Sequence, residues 1–175
     1  MATHAELVEL FGPAGVATVG PEALAEQRIP QADAEVLSST GLPTFLDVLF
    51  TTETKGEPQA FTVVPVEAGD EQVRVLALGA PTDADDMRYC LDLEHGYVIL
   101  LTLSPEPAAE IVNRTLDDFV EFLYRLALYS KHVERLGEAE AQAYTAQLGD
   151  YLRARDQFAF ASPESWWSMV LDQLG

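Results

Sequence analysis

The chain has 175 residues, 48% of them hydrophobic, and 29 Asp+Glu against 10 Lys+Arg, a formal net charge of −19. That length and apolar share suit a single domain with its own core and exclude wholesale disorder. A surface of this sign repels nucleic acid and anionic membrane and attracts a basic partner.

Met1–Phe11 has neither a basic start nor a long apolar stretch, so it does not read as a signal peptide. No apolar run is long enough to span a membrane, and cytoplasmic residence is the expectation. Thr3–Leu10 reads as a short amphipathic helix, ended by Phe11-Gly12-Pro13. Gly15–Val19 suits a short strand, and Ala23–Ile29 fits helix and strand alike. Pro30 stands where a helix accepts its first residue, and Asp33–Ser39 continues helically to Gly41. Phe45–Thr51 is expected to be the first long strand, with Phe45, Val48 and Phe50 in the core. Gln59–Val66, Gln72–Leu78, Met87–Leu93 and Tyr97–Leu103 follow as strands, separated by turns at Ala68-Gly69-Asp70 and Glu94-His95-Gly96 and by the acidic loop Gly79–Asp86. Short links of this kind imply a mainly antiparallel meander.

A long helix is expected next. Leu116, Phe119, Val120, Leu123 and Ala127 recur at steps of three and four, with Thr115 before them and Asp118 in the place of a capping-box glutamate. Glu138–Arg153 reads as a second helix, Asp156–Ala161 as a bend, and Ser162-Pro163 as the start of a last helix carrying Trp166 and Trp167. One tryptophan is expected in the core and the other at its rim or exposed.

The residues assemble no reaction centre. His4, His95 and His132 are scattered without a second His or Cys at ligand spacing, and Cys90 is the only cysteine, so no metal site, no internal disulfide and no CxxC motif is expected. Ser104, Ser130 and Ser162 lie in no GxSxG elbow, and no phosphate-cradling glycine motif occurs. Asp83, Asp85 and Asp86 have the acidity of a calcium loop without its glycine and distal glutamate. A hydrolase with paired carboxylates would need two acids about 5–10 Å apart in a cleft, and the sequence selects no such pair. The acidity itself is uneven: residues 1–114 hold 19 acids and 5 bases, residues 115–175 hold 10 and 5.

Short motifs in a fixed order run through most of the chain. They are Phe11-Gly12-Pro13 with Val16, Gly41-Leu42-Pro43, Leu78-Gly79, Cys90-Leu91-Asp92 followed by Gly96-Tyr97-Val98, Val112-Asn113 with Thr115-Leu116 and Phe119, then Asp156 and Trp166. In this the chain resembles the SUKH superfamily of immunity proteins, most closely its fourth subgroup. Arg114 and Thr115 depart from the small residue and Ser expected there. The resemblance implies one α+β domain over residues 1–175: a mainly antiparallel or mixed sheet of about five to six strands packed against C-terminal helices. It implies a non-enzymatic protein without cofactor or metal. Such a protein neutralises a bacterial polymorphic toxin, a nuclease or nucleic-acid deaminase, by covering a basic active site. The alternative implied is an intracellular regulatory or scaffold module of the same superfamily. The expected steering contacts are Glu67, Asp70 and Glu71, then Asp83, Asp85 and Asp86, with Glu94.

Overall fold

The computed structural model describes residues 1–103 and 107–174, with Ala68 as backbone only; Ser104 lies outside the described residues. The first third is built of short pieces: α1 (His4–Phe11), β1 (Val16–Ala17), α2 (Pro21–Glu26), α3 (Gln31–Glu35), β2 (Leu42–Pro43), β3 (Phe45–Leu46) and β4 (Phe50–Thr51). Thr3 caps α1 through a full capping box with Glu6. The ambiguous Ala23–Ile29 resolves as the end of α2 and a turn. Pro30 precedes α3 and does not open it. Beyond α3 the chain widens into a π turn, Val36–Thr40, which Gly41 closes with its N–H on the Val36 carbonyl at 2.8 Å. Gly41 has a φ of 81°, and a Cβ there would lie 2.6 Å from the Ala17 carbonyl, so only glycine lets β1 and β2 pair.

The sheet is a five-stranded antiparallel meander, β5 (Val63–Ala68), β6 (Glu71–Gly79), β7 (Met87–Asp92), β8 (Val98–Thr102) and β9 (Ala108–Asn113), in spatial order β5-β6-β7-β8-β9. Three long-range expectations shift. Phe45–Thr51 is not a strand of this sheet. It is a tight hairpin of β3 and β4, because Asp47 turns the chain with a φ of 41°. The turn breaks the alternation, so Phe50 is fully buried while Phe45 and Val48 are each 55% exposed. The next strand begins at Val63, not at Gln59, because Phe61 has a φ of 63°. The fifth strand is β9, absent from the sequence reading: its Ala-Ala-Glu start has little β propensity and follows a proline.

Alternation along the strands makes two cores. Leu76, Leu78, Tyr89, Leu91, Val98, Leu100 and Val112 face α4 (Leu116–Val133), which lays Leu116, Phe119, Val120, Phe122 and Leu123 on them. Burial of each such side chain contributes about 1.5–3 kcal/mol relative to exposure. Tyr89, Phe119, Phe122 and Trp167 form a chain of tilted rings with centroids 5.1 to 6.3 Å apart. The other face carries a smaller cluster of Val75, Ala77, Cys90 and Leu101. Burial pushes the Cys90 thiol up to about 12, which leaves it unreactive. On the same face Arg88 is 1% exposed and donates to four backbone carbonyls: Pro58 (3.1 Å), Lys55 (2.5 Å), Asp85 (3.0 Å) and Met87 (2.6 Å). It clips the segment between β4 and β5, and the loop after β6, to the sheet.

The helices close over the sheet through one buried carboxylate. α5 (Glu138–Arg155) is followed by a 3-10 turn (Gln157–Phe160) and α6 (Trp166–Leu174). Asp156, fully buried, accepts from the Arg114 N–H (2.9 Å), Arg114 Nε (3.1 Å), Phe158 N–H (3.2 Å) and Asn113 Nδ2 (3.4 Å). Asn113 Oδ1 in turn accepts from Trp167 Nε1 at 3.0 Å. A bulge aims Asn113 inward: Val98 pairs with Asn113 and Ile99 with Ile111, leaving Val112 as the extra residue. Ser162 is not the cap of α6. Its hydroxyl accepts from Glu164 in a preceding turn, and the free Trp166 N–H at the helix start is taken by Glu110 Oε1 of β9 at 2.7 Å. Trp167 is buried and Trp166 half-buried.

Thr115 caps α4 as expected: its hydroxyl accepts from the Asp118 N–H at 3.1 Å and donates to Asp118 Oδ2 at 2.7 Å. Thr115→Ala is expected to lower stability by about 1 kcal/mol, read as a lower urea midpoint. An unchanged midpoint would mean that these bonds contribute nothing net.

Candidate partner-binding surface

Antiparallel pairing decides where the acidic loops lie. The β5–β6 hairpin and the β7–β8 turn share one end of the sheet, because the start of β6 pairs with the end of β7. The β6–β7 loop lies at the other end. At about 3.3 Å per residue, the length of β6 separates the two ends by roughly 25 Å. All seven expected contact residues are exposed, but the structure divides them: Glu67, Asp70, Glu71 and Glu94 at one end, Asp83, Asp85 and Asp86 at the other.

At the first end, Asp92 organises the β7–β8 turn. Its Oδ1 accepts from the backbone N–H groups of Glu94 (2.8 Å) and His95 (3.0 Å), and Oδ2 lies 2.8 Å from His95 Nδ1. Burial pushes the Asp92 carboxyl up, but the bonds from His95 and the two amides outweigh it and hold the group below its usual range. The same hydrogen bond and the charge of Asp92, with smaller contributions from Glu94 and Glu71, raise the His95 pKa.

The second end is built differently. The β3–β4 hairpin is tied to the acidic loop by backbone: Thr82 N–H donates to the Val48 carbonyl (3.1 Å), the Thr82 hydroxyl to the Asp47 carbonyl, and Thr51 and Ala80 exchange both bonds at 2.8 and 2.9 Å. Tyr89 OH holds the Leu49 carbonyl at 3.1 Å from beneath. Asp85 forms an exposed pair with Lys55 at 3.3 Å, worth at most about 1 kcal/mol. Among the described residues Asp47, Asp83 and Asp86 have no ion-pair partner. The sequence reading missed this juxtaposition and placed Phe45 and Val48 in the core. An aspartate between two apolar residues, Leu46-Asp47-Val48, was the available sign of a turn.

On the helical side the buried and half-buried carboxylates of α4 and of the turn after α5 are paired with arginines. Arg155 holds Asp118 (2.6 Å), Arg125 holds Glu121 (2.7 Å) and Arg114 holds Asp156 (3.1 Å). Burial pushes the Glu121 carboxyl up, but donors from Tyr151 OH and Arg125 bring it below the usual range. Arg74 reaches the Gln27 carbonyl at 2.7 Å. With Arg88 and Lys55, six of the ten cations are thus engaged with carboxylates or carbonyls.

Two carboxyls are raised, Asp33 by burial and the charge of Asp117, and Asp117 by burial and the charge of Asp118. Neither lines the open groove of about 430 Å³ beside β9, which is lined by Ala109, Glu110, Ile111, Phe158, Ala161 and Glu164 among others. Among the described residues no three of His, Cys, Asp and Glu gather as a metal site, and no helix is long and apolar enough to cross a membrane. No curated protein and no solved structure matches the chain. The family model described as SUKH-4 immunity protein matches residues 2–173.

Proposed function

Since the chain belongs to the SUKH-4 immunity protein family, we propose that it binds a cognate toxin of a bacterial polymorphic toxin system, a nuclease or nucleic-acid deaminase, and covers that enzyme's basic active site. Enzymes that hold phosphate present cationic clefts, and an acidic, catalytically silent domain is their electrostatic complement. The observation that carries the reading is the distribution of charge. Arginines are drawn to Asp118, Glu121 and Asp156 on the helical side, while Glu67, Asp70, Glu71, Asp83, Asp86 and Glu94 stand exposed on the sheet loops without an ion pair among the described residues. The protein acts in the cytoplasm as a stoichiometric plug, with no cofactor and no nucleic-acid ligand of its own.

The test is stopped-flow association with an inactivated form of the toxin domain encoded beside this chain's gene. Raising ionic strength from about 0.01 to about 0.15 M shortens the screening length from about 30 to about 8 Å. The association rate is expected to fall about tenfold or more over that range while the 1:1 complex persists. A salt-independent rate would rule out steering by these loops, and failure to bind at all would rule out the immunity reading.

A further inference from the structure

The two acidic ends of the sheet are not equivalent, and the difference is apolar. Phe45 and Val48 are the large hydrophobic residues most exposed in the described chain, at 55% each, and both stand on the β3–β4 hairpin. Scattered exposed hydrophobics are ordinary, but these two share one rigid mount. The hairpin backbone is bonded to Thr82, Ala80 and Tyr89, so its side chains are held out by structure and not by slack. Phe50, five residues on, is fully buried against Tyr89 and Phe119 with centroids 5.8 Å away, which anchors the hairpin base in the main core. Asp47 is on the same hairpin, and Asp83 and Asp86 are on the loop that Thr82 ties to it; all three carboxylates are exposed.

Resting on the immunity reading, we infer that the Phe45–Val48 hairpin is the anchor with which this protein seats on its toxin, inserting an aromatic and a branched side chain into an apolar recess of a surface whose rim is basic. An interface draws most of its affinity from a few desolvated, usually aromatic anchors, and charges at the rim set the encounter rate. The hairpin supplies the anchor without an ordering cost, since its conformation is fixed before contact. The carboxylates of Asp47, Asp83 and Asp86 select the occupant: a neutral or acidic recess would leave them facing like charge or no charge. The opposite end, Glu67 to Glu71 with Glu94, carries acids but among the described residues no large apolar side chain of comparable exposure.

The experiment measures association and dissociation rates for the full chain with the same inactivated toxin domain. Phe45→Ala is expected to weaken binding about thirtyfold or more, almost wholly through faster dissociation. Val48→Ala is expected to act in the same direction. Asp83→Asn with Asp86→Asn is expected to slow association and flatten its salt dependence, with dissociation unchanged. Glu71→Gln with Glu94→Gln is expected to leave dissociation as it is. Thermal midpoints of the Phe45 and Val48 variants should equal that of the unaltered chain, since neither side chain is in the core. Toxin binding that survives Phe45→Ala and Val48→Ala, or is lost with Glu71→Gln and Glu94→Gln in their place, overturns this placement while leaving the immunity reading intact. An unaltered chain that does not bind overturns both.

Discussion

Asp156→Ala is expected to destabilise the fold by about 3 kcal/mol, the largest effect of any single polar substitution considered for this chain. The carboxylate is fully buried, and four donors converge on it from Asn113, Arg114 and Phe158. Alanine strands the buried Asn113 Nδ2 and leaves the part-buried Arg114 and Phe158 N–H groups without their acceptor, and each unmet buried donor costs about 1–3 kcal/mol. The Arg114 side chain is 56% exposed and can turn to solvent, which keeps the total toward the lower end of the 3–5 kcal/mol found for broken buried pairs, about 3 kcal/mol. Asp156→Asn should be nearly as harmful. Both carboxylate oxygens face donors, so either orientation of an amide sets its NH2 against another N–H. Urea unfolding followed by tryptophan fluorescence reads both, with Trp167 itself reporting through its bond to Asn113. A loss under about 1 kcal/mol for both variants would show that water replaces the carboxylate.

Arg88→Met is expected to cost about 2 kcal/mol and, before that, to release the segment from Thr52 to Thr62. Four charge-assisted bonds to carbonyls are gained by this guanidinium, each worth about 1.5–3 kcal/mol. The cost of holding a cation that is 1% exposed offsets much of that sum, which is why the expected loss is near that of one bond. Methionine fills a similar volume and donates nothing, leaving the Lys55 and Pro58 carbonyls to seek solvent. Hydrogen exchange should then show opening of amides in residues 52–62 at a free energy well below that of the sheet. Arg88→Lys should rescue only in part, since a point charge cannot span acceptors that a planar fork reaches together. Uniform loss of protection across the chain would contradict a local clip.

The α4 helix was legible because every cue agreed: Thr115 as cap, acids in the first turn and a stripe of apolar residues. Strands β6, β7 and β8 were legible as β-rich runs bounded by turns, with Gln72–Leu78 alternating cleanly. What the sequence concealed depends on distant partners. Strand β9 is held as a strand by β8, not by its own alanines. The start of α6 is set by Glu110, 56 residues away, so the local Ser162-Pro163 signal pointed three residues too early. The acidic loops could be named individually, but their division between opposite ends of the sheet follows from pairing order alone. Phe45 and Val48 were misplaced because a single residue with positive φ, Asp47, reverses which side chains face inward.

The meander of β5 to β9 has a kinetic consequence. Each long strand hydrogen-bonds only to the strand made just before or just after it, so every closure spans a short loop and loses little chain entropy. The sheet can therefore zip together in the order of synthesis, and the contacts that tie α6 back to β9, Trp167 to Asn113 over 54 residues and Trp166 to Glu110 over 56, become possible only once α6 has been made. A member of an immunity family gains from such an order: the sheet assembles locally and early, and the later closures bring the C-terminal helices onto it.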